Sequence, residues 1–212
     1  MAKTEPFDLH IDEYENWFDQ NRFVYLSELE AIRTLLPQKG NGVEIGVGSG
    51  VFASELGITN GCDPSATMRK KAAERGINAK YGIAEELPYA NNSFAFALMV
   101  TTICFVDNPL KSFNEAYRVL NQNGELIVAF VDKESIVGKQ YLKHKDKSVF
   151  YKDARFFSTN EIKSFLEKAN FKITQTVQTI FAPLSDINEI QHPEKGHNKG
   201  SFVVIKAIKN GR

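Results

Sequence analysis

Residues 43–52 read VEIGVGSGVF, and they join the end of an apolar strand to the start of a helix through a glycine-rich turn. Glycine permits backbone conformations that other residues avoid, and it lets a ligand approach the chain closely. The helix that opens at Val51 offers free N–H groups in its first turn. The stretch therefore predicts a nucleotide-type pocket built on Gly46, Gly48 and Gly50.

The spacing of these glycines decides which nucleotide class the turn favours. The dinucleotide fingerprint G-x-G-x-x-G, counted from Gly46 and Gly48, requires glycine at position 51, which is Val51 here. No Gly-Lys-Ser/Thr follows, so a phosphate-binding P-loop is excluded as well. The pattern is instead acid-x-G-x-G-x-G, in which Glu44 stands two residues before the first glycine. A tight turn with no ligand is the alternative.

A second acid, Asp63, ends the next predicted strand. A carboxylate at the tip of the second strand can accept hydrogen bonds from both hydroxyls of a ribose. Asp63 could also cap the helix that follows, and the two roles are compatible. Pro64 and Met68 are apolar and are expected to flank an adenine face.

Strands alternate with helices from residue 42 to residue 131, which predicts an α/β fold with a mostly parallel, doubly wound, Rossmann-like sheet. Two last strands joined without a helix predict an antiparallel C-terminal hairpin. We expect seven strands with helices on both faces. Residues 1–212 are predicted to form a single domain, and a helix is expected over 11–36. The predicted parts of this domain are an N-terminal helical cap (1–37), a cofactor-binding core (40–132), a substrate lid (133–157), and a C-terminal helix with the hairpin (158–212).

Composition excludes several classes of function. Lys+Arg 26 balances Asp+Glu 26, so a nucleic-acid partner is not expected. The apolar run from Phe94 to Val106 is too short to span a bilayer, and the N-terminus has no apolar signal core. Cys62 and Cys104 lie in apolar segments and are expected to be buried and reduced, which favours a cytoplasmic protein. The oligomeric state is not indicated.

Several motifs in order carry a family resemblance. The chain resembles a class I S-adenosylmethionine-dependent methyltransferase, close to the ubiquinone/menaquinone-biosynthesis type, over about residues 40–132. The segments that resemble family motifs are VEIGVGSG (43–50), CDPS (62–65), AEELP (84–88) and EAYRVL (115–120).

The resemblance implies S-adenosylmethionine as cofactor and a role for each matched residue. The glycines would lie against its methionine part with Glu44 fixing the turn, and Asp63 would take the ribose hydroxyls. Thr101 would face the amino acid end, and the N–H of Ala84 would meet the adenine edge. The expected site residues are Tyr14, Trp17, Glu44, Gly46, Gly48, Gly50, Asp63, Pro64, Met68, Ala84, Glu85 and Thr101, with Tyr14 and Trp17 covering the pocket.

The chain also departs from the family pattern. Ile83 stands where the family often has an aspartate that accepts from the adenine amino group, so adenine must be recognised by the backbone, by Glu85, or less tightly. The Asn/Asp-Pro-Pro-Tyr motif is absent, which disfavours DNA and protein-glutamine acceptors. No metal-ligand cluster is evident. The expected acceptor is therefore a small molecule such as an amine, a quinone precursor or another metabolite.

No residue is predicted to be catalytic, because methyl transfer needs mainly the alignment of donor and acceptor. His144, His192 and His197 lie in irregular segments, where a histidine is more often without a catalytic role. The aromatic residues of 132–157 are either part of a substrate lid or a satellite core on a solvated insertion. Two other classes stay open: an NAD-dependent oxidoreductase and a non-catalytic regulatory domain that binds the cofactor.

Overall fold

The structure is a computed structural model, and it describes residues 4–210. At its centre lies the strand β4 (Phe94–Val100), which is apolar on both faces. Ala97 and Met99 pack into one hydrophobic core, whereas Phe96 and Leu98 pack into a second core on the other face. A strand that is buried on both sides requires helices on both sides of the sheet.

The sheet has eight strands in the order β3-β2-β1-β4-β5-β8-β6-β7. Strands β1 to β5 are mutually parallel where they pair, and β8 runs antiparallel to both β5 and β6. The other strands are β1 (Gly42–Ile45), β2 (Asn60–Asp63), β3 (Asn78–Tyr81), β5 (Leu120–Val131), β6 (Phe171–Thr179), β7 (Glu194–Lys195) and β8 (Phe202–Lys209).

Helices cover both faces, as predicted. Side chains of α6 and α8 fill the first core, and side chains of α3, α4, α5 and α7 contribute to the second. The helices are α1 (Glu5–Leu9), α2 (Ile11–Gln20), α3 (Arg22–Leu35), α4 (Val51–Glu55), α5 (Ala66–Glu74), α6 (Pro109–Val119), α7 (Ile136–His144) and α8 (Thr159–Lys168).

Two sequence predictions differ from the observed elements. The sheet has eight strands rather than seven, because Glu194 and Lys195, within the predicted loop 182–200, pair with β6. The single helix expected over 11–36 is divided at Asn21, whose side-chain amide donates to the carbonyl of Trp17 at 2.9 Å. The backbone N–H of Asn21 donates to the same carbonyl at 2.9 Å, so this residue caps the end of α2 twice. The antiparallel pairing of the last two long strands is confirmed.

The topology fixes where a ligand binds. From β1 the chain runs to β2 and β3 on one side, and it then returns to β4 and β5 on the other side. The carboxyl end of β1 is therefore the point where strand order reverses, and ligands of doubly wound sheets bind at this point. No helix within the described residues is both long and apolar enough to cross a membrane.

Candidate active site

The glycine turn after β1 has a backbone that only glycine adopts readily. Gly46, Gly48 and Gly50 have φ values of +70°, +52° and +83°. The N–H groups of Gly46 and Val47 both donate to the carbonyl of Cys62, at 2.8 and 3.0 Å, which ties the turn to β2. A Cβ on Gly46 would lie 2.4 Å from side-chain atoms of Thr102. The turn is thus held close to the sheet and leaves open space above it.

Asp63 at the end of β2 joins the turn to the next helix. Its Oδ2 accepts the N–H of Gly48 at 2.9 Å, and its Oδ1 accepts the N–H of Ser65 at 2.8 Å. Burial raises the pKa of this carboxyl, and the two N–H donors oppose that rise. Each carboxylate oxygen retains a further lone pair. The side chain can therefore hold the turn and still accept a hydroxyl.

A cavity of about 270 Å³ lies above this turn, at the carboxyl ends of β1, β2 and β4. Most of the predicted cofactor-binding residues line it, and they converge there from distant parts of the chain. These residues are Tyr14, Trp17, Gly46, Gly48, Asp63, Pro64, Met68, Ala84, Glu85 and Thr101.

The other two predicted residues, Glu44 and Gly50, do not line the cavity. Glu44 is 2% exposed, burial raises the pKa of its carboxyl, and its Oε2 has no hydrogen-bond partner among the described residues. Gly50 faces α5, because a Cβ there would lie 3.2 Å from the Cα atom of Ala72 on that helix. Both residues thus lie within the protein, where Gly50 lets the turn pack against α5.

The predicted adenine end is built around residues 83–85. Ala84 and Ile83 line the cavity. The Oε1 atom of Glu85 accepts the N–H groups of Asp107 and Asn108, at 2.7 and 3.0 Å, and so holds the loop that precedes α6. Recognition of adenine by the N–H of Ala84 stays a prediction, and Glu85 has one oxygen engaged in holding this loop.

Thr101 follows β4 and has a strained backbone. Its φ of +47° lies in the left-handed region, which is rare for a β-branched residue. Its N–H donates to the carbonyl of Ala129 at 2.8 Å, so pairing with β5 holds the conformation. Strain of this kind clusters at functional sites, and Thr101 lines the cavity.

Aromatic side chains form the wall opposite the glycine turn. From the N-terminal helices come Phe7, Tyr14, Trp17 and Phe18, and from the chain after β5 come Tyr141, Phe150 and Tyr151. The two groups meet where the ring of Phe7 lies 5.4 Å from that of Phe150. A Cβ on Gly48 would lie 3.3 Å from the Tyr14 hydroxyl, so this tyrosine covers the glycine turn.

Sequence reasoning missed Phe7, Phe18, Phe150 and Glu28 as individual cavity residues. Glu28 is 7% exposed on α3 and lines the cavity. Burial raises the pKa of its carboxyl to about 8. The sequence contains a signal for this residue. Glu28 lies three residues after Tyr25 and three residues before Ala31, and both of these positions are buried. Helical spacing therefore places this acid on the buried face.

The histidines take no part in this cavity. His192 is exposed and pairs with Glu30 at 2.8 Å, and neither His144 nor His197 lines the cavity. Within residues 4–210, no cluster of three histidine, cysteine or acidic side chains could hold a metal ion. Cys62 and Cys104 are buried, as expected, and no disulfide joins them.

Comparison with known proteins identifies the family. Residues 43–128 match the model of a methyltransferase domain. The chain is 41% identical over 203 residues to the uncharacterized protein MJ1123 of Methanocaldococcus jannaschii, covering 96% of this chain and 98% of that protein. It is 30% identical over 201 residues to the uncharacterized protein Rv2003c of Mycobacterium tuberculosis, covering 92% of this chain and 70% of the other.

Solved structures agree with these matches. A crystal structure from Thermotoga maritima, named as a SAM-dependent methyltransferase and "possible histamine N-methyltransferase", superposes with a TM-score of 0.95 at 50% identity, covering 98% of this chain and 100% of the other. The methyltransferase bound to the Haloferax volcanii Trm112 activator has a TM-score of 0.76 at 15% identity, over 100% of this chain and 99% of the other. The latter likeness shows the fold alone.

The residues present fit S-adenosylmethionine. Gly46 and Gly48 form a cradle without side chains, and each carboxylate oxygen of Asp63 keeps a lone pair for a ligand hydroxyl. Together with a relative at 41% identity over nearly the whole chain and a methyltransferase structure at 50% identity, this fit establishes the family and the cofactor. The chain belongs to the S-adenosylmethionine-dependent methyltransferases.

Proposed function

We propose that this enzyme transfers the methyl group of S-adenosylmethionine to a small molecule that binds in the aromatic half of the same cavity. The observation that carries the proposal is the composition of this one cavity. The glycine turn and Asp63 form one side of it, and aromatic rings from two distant chain segments form the other. Donor and acceptor would thus share a single enclosed space.

Within this proposal, the predicted cofactor-binding residues have separate roles. Gly46 and Gly48 contact the methionine part of the cofactor, and Asp63 binds the ribose hydroxyls. The N–H of Ala84 meets the adenine edge. Thr101 faces the amino acid end, and Tyr14 covers the turn. Glu44 acts from behind the turn rather than from the cavity surface.

The chemistry needs little beyond orientation. S-adenosylmethionine supplies an electrophilic methyl carbon when it is bound. The protein then has to hold the acceptor in line with that carbon and to exclude water, and orientation of this kind supplies much of the acceleration. The aromatic wall of Tyr14, Phe18, Tyr141 and Tyr151 is suited to both tasks because its rings are large and mainly apolar.

A small acceptor fits the size of the cavity. A cavity of about 270 Å³ lined mainly by apolar and aromatic side chains suits a small acceptor bound beside the cofactor. The Thermotoga maritima protein at 50% identity is named for a small-molecule acceptor, histamine, which supports the same class here. The two buried cysteines, which no disulfide joins, support a reducing, cytoplasmic setting.

Two measurements test the proposal. Thermal-shift comparison should show stabilisation by S-adenosylmethionine, because a ligand that binds the native state raises apparent stability. Stabilisation by NAD alone would overturn the proposal in favour of an oxidoreductase. A screen of metabolite acceptors with isotope-labelled cofactor, followed by mass spectrometry, should then detect a methylated product. Cofactor binding without any product would favour the non-catalytic regulatory domain.

We propose further that residues 133–157 act as a substrate lid. The segment supplies Tyr141, Phe150 and Tyr151 to the cavity, and it includes the helix α7. Limited proteolysis should cut this segment more slowly when cofactor and acceptor are both bound. Equal cutting rates with and without the ligands would support a static wall instead.

A further inference from the structure

Glu28 is a buried carboxyl group that has no role in the proposed binding of the methyl donor. It lies on the inner face of α3, is 7% exposed, and lines the cavity. Residues 4–210 provide no hydrogen-bond donor or cation to its side chain, and burial alone accounts for the rise in its pKa to about 8. A buried polar group without a hydrogen-bond partner is costly, so native proteins rarely retain one without a function.

The surroundings of Glu28 are aromatic. Its charge acts on the phenols of Tyr141 and Tyr151, and burial together with this charge raises the pKa of both. The rings of these two tyrosines lie 4.9 Å apart in a stacked pair. Aromatic faces beside a carboxylate attract a cation by two effects, ion pairing and the cation–π interaction.

The charges that line the cavity all have one sign. Its ionisable carboxyls are those of Glu13, Glu28, Asp63, Glu85 and Asp107, and within residues 4–210 no lysine, arginine or histidine lines it. Such a cavity repels phosphate and carboxylate groups on an acceptor and favours a cationic one.

Glu28 differs from the other four acids in having no partner. Glu13 pairs with His10 at 2.9 Å, and Asp63 and Glu85 each accept two backbone N–H groups. Asp107 is also engaged in an interaction. Glu28 is therefore the cavity carboxyl that a ligand can pair without breaking an interaction that holds the site together.

We propose that the methyl acceptor is a small organic amine, and that the Glu28 carboxylate binds its ammonium group and accepts its proton. This inference rests on the proposed function and adds the acceptor class and the residue that selects it. Tyr141 and Tyr151 flank the ammonium group with their rings.

The step balances in atoms and charge. An N–H bond of the ammonium group breaks and an O–H bond forms on Glu28. An ion pair thus becomes a neutral amine beside a neutral acid, which surroundings of low polarity favour. The amine lone pair then forms a bond to the methyl carbon as the carbon–sulfur bond breaks, with its electron pair staying on sulfur. The product is a methylated ammonium ion, and Glu28 returns its proton to solvent when the product leaves.

Calorimetry with three amines tests this inference. The full-length protein is saturated with S-adenosylhomocysteine, which cannot donate a methyl group, and is titrated with histamine, phenethylamine and putrescine. Phenethyl alcohol and 1,4-butanediol are the neutral counterparts of the last two amines. Glu28→Gln keeps the shape of the side chain and removes the charge. Glu30→Gln is the matched control, because Glu30 is on the same helix and its partly exposed side chain pairs with His192.

We expect at least one amine to bind the wild type and the Glu30→Gln variant equally, and to bind Glu28→Gln at least tenfold more weakly. The neutral alcohols should not distinguish the variants, and Glu28→Asp should recover part of the affinity. Equal amine binding by Glu28→Gln, or no binding of any amine by the wild type, would overturn the inference. Methylation of a phenol or another neutral acceptor, unchanged in Glu28→Gln, would overturn it while leaving the proposed function intact.

Discussion

Two buried carboxylates in one cavity show how its two halves differ. Asp63, 9% exposed, accepts backbone N–H groups on both oxygens, and these bonds fasten the glycine turn to α5. Glu28, 7% exposed, receives no such bond from the described residues. In the donor half of the cavity, formed by the glycine turn and Asp63, the protein itself pairs the Asp63 carboxylate. The acceptor half, formed by the aromatic wall, holds an acid that only a ligand can pair. Stability should therefore respond differently to each acid.

The largest expected effect is the pH dependence caused by Glu28. Its pKa in the native state is about 8, against an ordinary value of 4.5, so the native state binds this proton more tightly than the unfolded chain. The stabilisation from this proton is full below about pH 4.5 and is lost as the pH rises through about 8. In urea unfolding, the wild type should lose a few kcal/mol relative to Glu28→Gln between about pH 5 and pH 8.

Glu30→Gln is again the control and should track the wild type across this range, since its side chain is 38% exposed. Tyr141 and Tyr151, the ionisable groups whose pKa values respond to Glu28, remain neutral in this range because burial raises the pKa of both. A constant difference between Glu28→Gln and the wild type would show that Glu28 carries no buried charge.

The second effect concerns the donor half. Asp63→Ala should weaken binding of S-adenosylmethionine about a hundredfold, because charge-assisted hydrogen bonds are lost and the N–H groups of Gly48 and Ser65 lose their acceptor. Calorimetric titration measures the change. Glu86→Ala is the control, since Glu86 is exposed near the same edge of the sheet and does not line the cavity. An unchanged dissociation constant in Asp63→Ala would refute the ribose role.

Substitution of two glycines distinguishes the cost of backbone strain from the cost of close packing in the donor half. Gly46 and Gly57 both have a φ of +70°. A Cβ on Gly46 would lie 2.4 Å from Thr102, whereas one on Gly57 would meet nothing within 4 Å. Gly57→Ala should therefore cost about 1 kcal/mol of unfolding free energy from conformation alone. Gly46→Ala should cost about 1–2 kcal/mol more, and equal losses would indicate that the turn moves freely.

The smallest effect lies in the aromatic wall. Phe150→Ala removes ring contacts with Phe7 at 5.4 Å and Tyr14 at 6.1 Å, and an aromatic pair contributes about 1 kcal/mol. We expect the KM for the acceptor to rise by a factor of about three to five. Val149→Ala, at a neighbouring side chain that is 41% exposed, should leave it unchanged. A larger change in kcat than in KM would assign Phe150 to alignment rather than to closure.

The donor half was predictable because its constraints are local in the chain. The glycines of residues 46–50 and the acid at position 63 lie within one strand–turn–helix–strand unit, so spacing alone brings them together. Glu44 and Gly50 were identified by the same motif, yet they lie behind the cavity. A motif reveals which residues the turn requires, and it does not say which of them face the ligand.

The acceptor half was harder to predict because its parts are brought together by the tertiary fold. Phe7 and Phe150 are far apart in the sequence and meet only because α1 and the chain after α7 cross the same edge of the sheet. The burial of Glu28 depends on what α3 packs against, and periodicity can indicate an inward acid but cannot supply its surroundings. The short strand β7 was missed for a similar reason, since pairing with β6 defines it.

The direction of β8 has a practical consequence for handling the protein. Because β8 is antiparallel to β5, its last residues lie beside Glu125, at the end of the sheet where the parallel strands begin. At the opposite end, where the parallel strands finish, Thr4 lines the cavity and Asp8 accepts a hydrogen bond from Ser65. An affinity tag fused before residue 4 would therefore lie next to the ligands, whereas one fused after β8 would leave them undisturbed.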